Sequence, residues 1–143
     1  MSKTTPSSRS KRYLEGLGYM VGTVERYNHI TQRRHDLFGF IDLIAVRGDD
    51  IVGLQVTSDS NISARVKKIK EECDDAAKSW IAAGGLIVVQ GWGKKKVKRK
   101  SPRETWQHRS VEIVANLEST LGGELVSRPH LFRADPNPVV LSI

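Results

Sequence analysis

Cysteine is almost absent from this chain of 143 residues, since Cys73 is its only one. A single cysteine excludes an intrachain disulfide and a cysteine-rich zinc site. The sequence also lacks an apolar run long enough to cross a membrane, a signal-peptide core near its start, and any internal repeat. These absences predict a cytoplasmic protein in a reducing compartment, with one domain large enough to form its own core.

Acidic residues are in the minority. The chain has 23 Lys and Arg residues against 16 Asp and Glu residues, which gives a formal net charge of +7. This surplus predicts a polyanionic partner, most simply nucleic acid, although surplus charge also serves solubility. A basic RNA-binding protein of ribosomal type would explain the charge as well.

Two segments carry cations without an apolar pattern. Residues 1–12 are rich in Ser, Thr, Lys and Arg, and we expect a disordered basic tail ahead of a single domain over 13–143. Residues 94–103 hold seven cations and no acid between Trp92 and Trp106, which predicts a mobile basic loop over 93–104. We assign phosphate contacts to its cations Lys94, Lys95, Lys96, Lys98, Arg99 and Lys100.

The segment from Asp36 to Thr57 predicts a β-hairpin around which the rest of the chain is organised. It contains two apolar runs of strand length, FIDLIAV and IVGLQVT. The residues between them, Gly48-Asp49-Asp50, are typical of a turn, because glycine accepts positive φ and aspartate bonds to its own backbone. We therefore expect a four-residue loop from Arg47 to Asp50.

The loop length fixes the register of the hairpin. Val46 then faces Ile51, and counting back places Asp42 opposite Gln55. Alternation puts Thr57 on the same face. An ionised carboxylate inside an apolar strand is costly unless it is paired or bound to a metal, so we expect these three polar side chains to form one cluster.

Regular elements are predicted on both sides of the hairpin. The apolar stripe of the helix that follows it includes Cys73, and the strand, helix, strand order there favours a crossover and a partly parallel sheet. The predicted elements are a helix over 10–17, a strand over 19–28, a helix over 62–82, strands over 86–90 and 106–114, a helix over 115–121 and an irregular strap from 128.

Charged residues outside the hairpin are further candidates. Glu25, near the end of the first strand, is either an exposed acid or a third carboxylate of the site, and Asp36 has the same two interpretations. The long helix carries cations in its first half, where they do not favour the helix dipole, and their placement indicates a use. Those cations include Arg65, Lys67 and Lys68, and Arg33 and Arg34 are placed to contact phosphate.

The order helix, strand, strand, strand, helix, strand resembles the core of the PD-(D/E)XK nuclease superfamily. Ile41-Asp42 matches the PD element and Gln55-Val56-Thr57 occupies the (D/E)XK position, within a likeness that covers roughly residues 13–90. The small phage-type and Holliday-junction-resolvase-like members are the most similar. The resemblance implies an α/β fold with a restriction-endonuclease-like core, a central mixed sheet flanked by helices in the order αβββαβ.

The resemblance also implies an activity and a site. The activity is the endonucleolytic hydrolysis of DNA, branched DNA included, with Mg²⁺ or Mn²⁺ and often by a homodimer. Backbone contacts of the basic loop and the tail would give affinity with little sequence specificity. Asp42, Gln55 and the Val56 carbonyl would hold the cation, and the family's early glutamate would be Glu25, or Glu15 if it lies on the first helix.

Two departures from the family pattern affect this assignment. Gln55 replaces an acid, so that it offers an oxygen ligand without the charge and lowers the metal affinity. Thr57 replaces a lysine and cannot supply a cation to the attacking water, a role that Arg65 or Lys68 would then take. Without such a cation the chain would be an inactive relative that binds nucleic acid without cutting it.

Overall fold

The computed structural model describes residues 4–100, 102–116 and 123–134. Its helices and strands are α1 (Pro6–Gly16), β1 (Met20–Thr23), β2 (Arg26–Asn28), β3 (Arg33–His35), β4 (Leu43–Arg47), β5 (Asp50–Ser58), α2 (Ile62–Glu72), α3 (Asp74–Ala82), β6 (Leu86–Lys96), β7 (Glu104–Asn116) and β8 (Glu124–Pro129). A short 3-10 turn over Asp59–Asn61 joins β5 to α2. Of the helices in these ranges, none is long and apolar enough to cross a membrane.

A mixed six-stranded sheet forms the centre of the fold. Its strand order is β1-β4-β5-β6-β7-β8, and β2 pairs with β3 in a separate two-stranded sheet. Strands β5 and β6 are parallel, because α2 and α3 form the crossover between them, and the other pairs in the sheet are antiparallel. The prediction of an α/β fold with a central mixed sheet flanked by helices is confirmed.

Helices cover both faces of this sheet. Adjacent residues of β6 pack into different clusters, Val88 into one and Ile87 and Val89 into the other, because successive side chains of a strand point to opposite faces. Leu14 of α1 packs with Val88 on the first face. Ile69 of α2 and Ala77 of α3 pack with Ile87 and Val89 on the second.

The register of the β4–β5 hairpin is the predicted one. Val46 pairs with Ile51, and the ladder continues to Leu43 and Leu54. The next backbone hydrogen bond runs from the Asp42 N–H to the Leu54 carbonyl at 2.7 Å. Asp42 therefore lies just beyond the last ladder pair, immediately before the first residue of β4.

The N-terminal segment differs from the prediction. Residues 6–12 were expected in a disordered tail and a helix from residue 10, but α1 begins at Pro6. The reason is local, because Thr5 and Ser8 form a reciprocal capping box and Pro6 is suited to the first turn of a helix. Residues 1–3 of the predicted tail lie outside the described residues.

The predicted basic loop over 93–104 is shorter than expected. Strand β6 continues to Lys96 and β7 begins at Glu104, and these two residues are paired. Lys94 is paired with Trp106 in the same ladder. The outer halves of β6 and β7 therefore form a basic two-stranded extension of the sheet, which we call the basic arm (residues 93–100 and 102–107).

Other elements differ in their boundaries. The predicted strand over 19–28 is divided into β1 and β2, and β3 lies between that strand and the hairpin, where no element was predicted. The single predicted helix over 62–82 ends and restarts at Cys73. Strand β8 covers residues 124–127, for which no element was predicted, and the first two residues of the predicted strap. The helix predicted over 115–121 begins inside β7, and its remainder falls outside the described ranges. The order of elements is therefore longer than αβββαβ.

Candidate metal centre

Asp42 is a buried carboxylate at the open end of the β4–β5 hairpin. Its side chain is 5% exposed, and Oδ2 accepts hydrogen bonds from Gln55 Nε2 at 2.9 Å and from the Val56 N–H at 2.8 Å. Both donors belong to β5, where the ladder with β4 has just ended. The predicted contact between Asp42 and Gln55 is therefore present.

Asp36 reaches the same point through a tight turn. Leu37 and Ile41 exchange both backbone hydrogen bonds at 2.9 Å, and Phe38 and Gly39 between them adopt positive φ values of 57° and 85°. Asp36 and Asp42 are the residues just outside this pair. The Asp36 Oδ2 lies 3.4 Å from Gln55 Nε2, so that one amide group contacts both carboxylates.

Glu25 joins the cluster because the chain forms a bulge there. The N–H groups of Val24 and Glu25 both point at the Asp42 carbonyl, at 3.0 and 3.3 Å, so that two residues oppose one. Strict alternation would have placed Glu25 on the face of Thr23. The bulge turns it toward Asp42 instead, and one oxygen each from Glu25, Asp36 and Asp42 lies within 4.8 Å of the others. We call these three residues the carboxylate cluster.

The surroundings of Asp42 disfavour its charged form. Burial raises the pKa of Asp42 to about 8, and the hydrogen bond with Asp36 and the negative charges of Asp36 and Glu25 act in the same direction. The hydrogen bond from the Val56 N–H opposes this rise only in part. At neutral pH the cluster alone therefore holds a proton, and a divalent cation would favour its release.

Gln55 has one polar atom without a partner. Its side chain is 3% exposed, its amide nitrogen contacts both aspartates, and its Oε1 is buried without a hydrogen-bond donor among the described residues. An orphaned buried oxygen is costly. Rotation of the amide would exchange nitrogen for oxygen beside the carboxylates, which is the arrangement that a cation requires.

The backbone of Val56 can add a further oxygen. The Leu54 carbonyl and the Val56 N–H both point toward β4, and the N–H and C=O of one strand residue share a side. The Val56 carbonyl therefore points to the side where Asp42 lies. Carboxylate, amide and backbone oxygens are the hard ligands that Mg²⁺ and Mn²⁺ prefer, so the residues present fit such an ion.

The carboxylate cluster lies in a cleft of about 610 Å³. Two cations of α2, Arg65 and Lys68, which are the candidates for the role of the family's lysine, also line this cleft. Arg34 of β3 lines it as well and lies 3.6 Å from Glu25. The other lining residues are Thr5, Pro6, Ser7, Tyr27, Gln55 and Val56.

Several predicted site residues lie elsewhere. Thr57 is buried, 7% exposed, and is not among the described residues that line the cleft. Glu15 lies in the last turn of α1, whereas the first turn of that helix borders the cleft, so Glu25 is the glutamate of the cluster. Lys67 lines a second groove of about 430 Å³ between α2 and β7. Arg33 is exposed on β3.

The six cations predicted to contact phosphate lie on the basic arm and are not among the described residues that line the cleft. Lys94, Lys95 and Lys96 belong to β6, and Lys98, Arg99 and Lys100 follow at its tip. They extend the positive surface and do not border the carboxylate cluster. Their assigned phosphate contacts stay a prediction.

Sequence reasoning missed two parts of the cleft. Asp36 was left open, although the pattern DLFGFID places two aspartates symmetrically about Gly39, and this symmetry is the signal that could have paired them. The wall formed by Thr5, Pro6 and Ser7 was assigned to a tail. The Thr-Pro-Ser-Ser start of a capped helix was the signal there.

No protein-family model, curated protein or solved structure was found to match this chain. The resemblance to PD-(D/E)XK nucleases therefore rests on the residues of the hairpin and on their arrangement.

Proposed function

We propose that this chain is a metal-dependent DNA endonuclease of the PD-(D/E)XK type. The observation that carries the proposal is the meeting of Asp36, Asp42 and Glu25 within 4.8 Å, beside a buried Gln55 oxygen that has no partner. An acidic cluster alone is common on protein surfaces. This cluster differs from a surface cluster because its central acid has a pKa raised to about 8 and the neighbouring amide oxygen is buried without a donor, and a bound cation would relieve both.

Asp42, Gln55 and the Val56 carbonyl would hold Mg²⁺ or Mn²⁺, with Asp36 and Glu25 as further carboxylates. When bound, such an ion supplies an activated water and stabilises the negative charge that develops on a scissile phosphate. The five residues come from four segments of the chain that the hairpin, the turn and the bulge fix in place. A site built on fixed backbone in this way needs little rearrangement to bind.

Arg65 and Lys68 would act on the phosphate within the same cleft. They lie on α2, three residues apart, and both line the cleft that contains Asp42. Residues spaced by three or four on a helix share a face, so the two cations can contact one anion. Their charge would stabilise the transition state in place of the lysine that the chain lacks at Thr57.

The positive charge outside the cleft favours DNA as the substrate. The basic arm, with Arg33 and Lys67, would contact the sugar-phosphate backbone, which gives affinity with little sequence preference. Branched DNA as the preferred form, and a homodimer as the active assembly, follow from the resemblance alone.

One observation favours a second candidate, an inactive relative that binds nucleic acid. The Gln55 amide nitrogen already contacts Asp42 and Asp36, so that the carboxylate cluster has a neutral donor where an active enzyme would have a cation. In that case the basic surface would bind DNA or RNA, and no phosphodiester bond would be hydrolysed in the cleft.

A cleavage assay separates the two candidates. Labelled linear, forked and four-way DNA is incubated with Mg²⁺, with Mn²⁺ or with EDTA, beside the variant Asp42→Asn and the control Asp49→Asn, an exposed acid of the β4–β5 turn. The nuclease predicts cleavage that needs the metal and Asp42 and that survives Asp49→Asn. A metal-independent gel shift without cleavage supports the inactive relative.

A further inference from the structure

Trp106 differs from the other two tryptophans of the chain in its surroundings. Trp92 is 8% exposed and donates to Ser10 Oγ at 2.8 Å, and Trp80 donates to the Leu86 carbonyl at 2.8 Å. Both side chains are therefore anchored inside the fold. Trp106 is 44% exposed on the basic arm.

The neighbours of the Trp106 ring are cations. The Arg9 guanidinium carbon lies 3.6 Å from the ring centroid, and the Lys94 Nζ lies 5.3 Å from it. Arg9 is held in turn by hydrogen bonds to the Thr4 carbonyl and hydroxyl at 3.0 and 3.1 Å. The ring is thus fixed in a positively charged environment and keeps part of its surface open to solvent.

Trp106 is also close to the cleft in the fold. Arg9 lies in α1, whose first residues Pro6 and Ser7 line the cleft that holds the carboxylate cluster. Pro6 and Arg9 are three residues apart and therefore share one face of α1, where the rise between them is roughly 4.5 Å at about 1.5 Å per residue. A nucleic-acid strand that leaves the cleft along α1 would therefore meet Trp106.

We propose that Trp106, with Arg9 and Lys94 beside it, stacks against an unpaired nucleotide of a DNA strand that continues into the cleft. An exposed aromatic ring between cations combines the two features with which proteins bind single strands, base stacking and phosphate attraction. A duplex offers only its backbone, because its bases are already stacked. The preferred substrate is then DNA with a single-stranded segment. The choice of DNA as the ligand rests on the proposed function.

The test is a binding measurement without metal. Oligothymidine or a duplex of equal length is added to the full chain in EDTA, and the tryptophan fluorescence and the anisotropy of a labelled oligonucleotide are recorded. The variants are Trp106→Ala and Trp106→Phe, with Trp80→Phe as the matched control. Thermal unfolding of each variant confirms that it is folded. If Trp106→Ala does not fold, Trp106→Phe still provides the test.

Stacking predicts that oligothymidine quenches the fluorescence of the wild type and of Trp80→Phe, and that the quenching is lost in Trp106→Phe. It also predicts that Trp106→Ala weakens binding of oligothymidine roughly tenfold, Trp106→Phe by less than about threefold, and neither variant weakens duplex binding more than about twofold. Equal losses for both DNA forms, or no loss for either, would overturn the proposal.

The outcome is independent of catalysis. The carboxylate cluster is unchanged in these variants and no metal is present. If oligothymidine quenches the fluorescence but the chain never cleaves DNA, the stacking site is supported and the nuclease activity is rejected. If the chain cleaves DNA but its Trp106 variants bind oligothymidine as the wild type does, the nuclease activity is supported and the stacking site is rejected.

Discussion

Asp36 and Asp42 face each other across the open end of a turn that Leu37 and Ile41 close with two backbone hydrogen bonds. The turn is tight, because it closes only with positive φ values at both Phe38 and Gly39. A bulky residue with positive φ is held there only when the surrounding structure demands it. The fold therefore maintains two carboxylates side by side at a cost in free energy, which is typical of a site that is built to bind something.

The first prediction concerns pH and stability. Asp42 has a pKa of about 8 in the folded chain against an ordinary value of 3.8, so the folded state holds a proton that the unfolded state releases. The metal-free protein should therefore lose stability as the pH rises from about 4 to 8, by at most about 1.4 kcal/mol for each pH unit from this group. Urea unfolding in EDTA at several pH values measures this loss.

Asp42→Asn isolates the contribution of this acid from that of other titrating groups. The variant should be more stable than the wild type at pH 8 in EDTA, and its stability should depend less on pH. Magnesium should stabilise the wild type at pH 8 and leave the variant unchanged. A variant that is less stable than the wild type at pH 8 would contradict a protonated Asp42.

The second prediction concerns the charge of the residue at position 55. Gln55→Glu should strengthen Mg²⁺ binding, because it adds a negative ligand, and should destabilise the chain in EDTA, because a fourth acid joins the three already present. Gln55→Met, which keeps the volume without a hard oxygen, should bind the ion less well than the wild type. Thermal unfolding with and without Mg²⁺ compares the three chains, and equal metal shifts in all of them would exclude Gln55 as a ligand.

The third prediction concerns the two cations of α2 in the cleft. Arg65→Ala and Lys68→Ala should each lower the rate of DNA cleavage, and the double variant by roughly 10²-fold, while Mg²⁺ affinity stays close to that of the wild type. Lys70→Ala is the matched control, since Lys70 lies on the same helix but lines the groove against β7. Single-turnover rates at saturating metal distinguish these cases. An equal loss in all three single variants would indicate a general charge effect instead.

The fourth prediction concerns the position of α2. A Cβ atom at Gly91 would lie 2.6 Å from the Ile62 side chain and 2.8 Å from the Asp59 Cα, and the latter is backbone that cannot move aside cheaply. Gly91→Ala should therefore destabilise the fold by about 1–3 kcal/mol and displace the start of α2, which carries the cleft cations.

Gly22→Ala is the control for this change, because a Cβ atom there would meet no atom within 4 Å. It should alter the free energy of unfolding by no more than about 0.5 kcal/mol. Denaturant titration of both variants gives the comparison. Equal free energies of unfolding for Gly91→Ala and Gly22→Ala would show that β6 and α2 leave room for a methyl group at residue 91.

The sequence predicted what local rules determine. The Arg47–Asp50 loop set the β4–β5 register, and the register set the contact between Asp42 and Gln55, because strand pairing leaves no freedom once the turn length is known. The parallel pairing of β5 and β6 followed from the helical crossover between them.

The rest depended on tertiary structure. Glu25 and Asp36 reach Asp42 through a bulge and a strained turn, and neither has a periodic pattern that would reveal where its side chain points. The break between α2 and α3 at Cys73 was also missed, because the apolar stripe continues across it. Asp74 and Asp75 in the first turn of α3 favour a new helix start there, and that was the available signal.

The metal centre can be tested by measuring the anomalous scattering of a wild-type crystal soaked in Mn²⁺. We predict one strong peak among Asp36, Asp42 and Gln55, with the Gln55 amide rotated so that its oxygen faces the ion. The same soak of Asp42→Asn should show no peak at this position. A wild-type site without a peak, with the Gln55 nitrogen still donating to Asp42, would contradict the metal centre and the nuclease that depends on it.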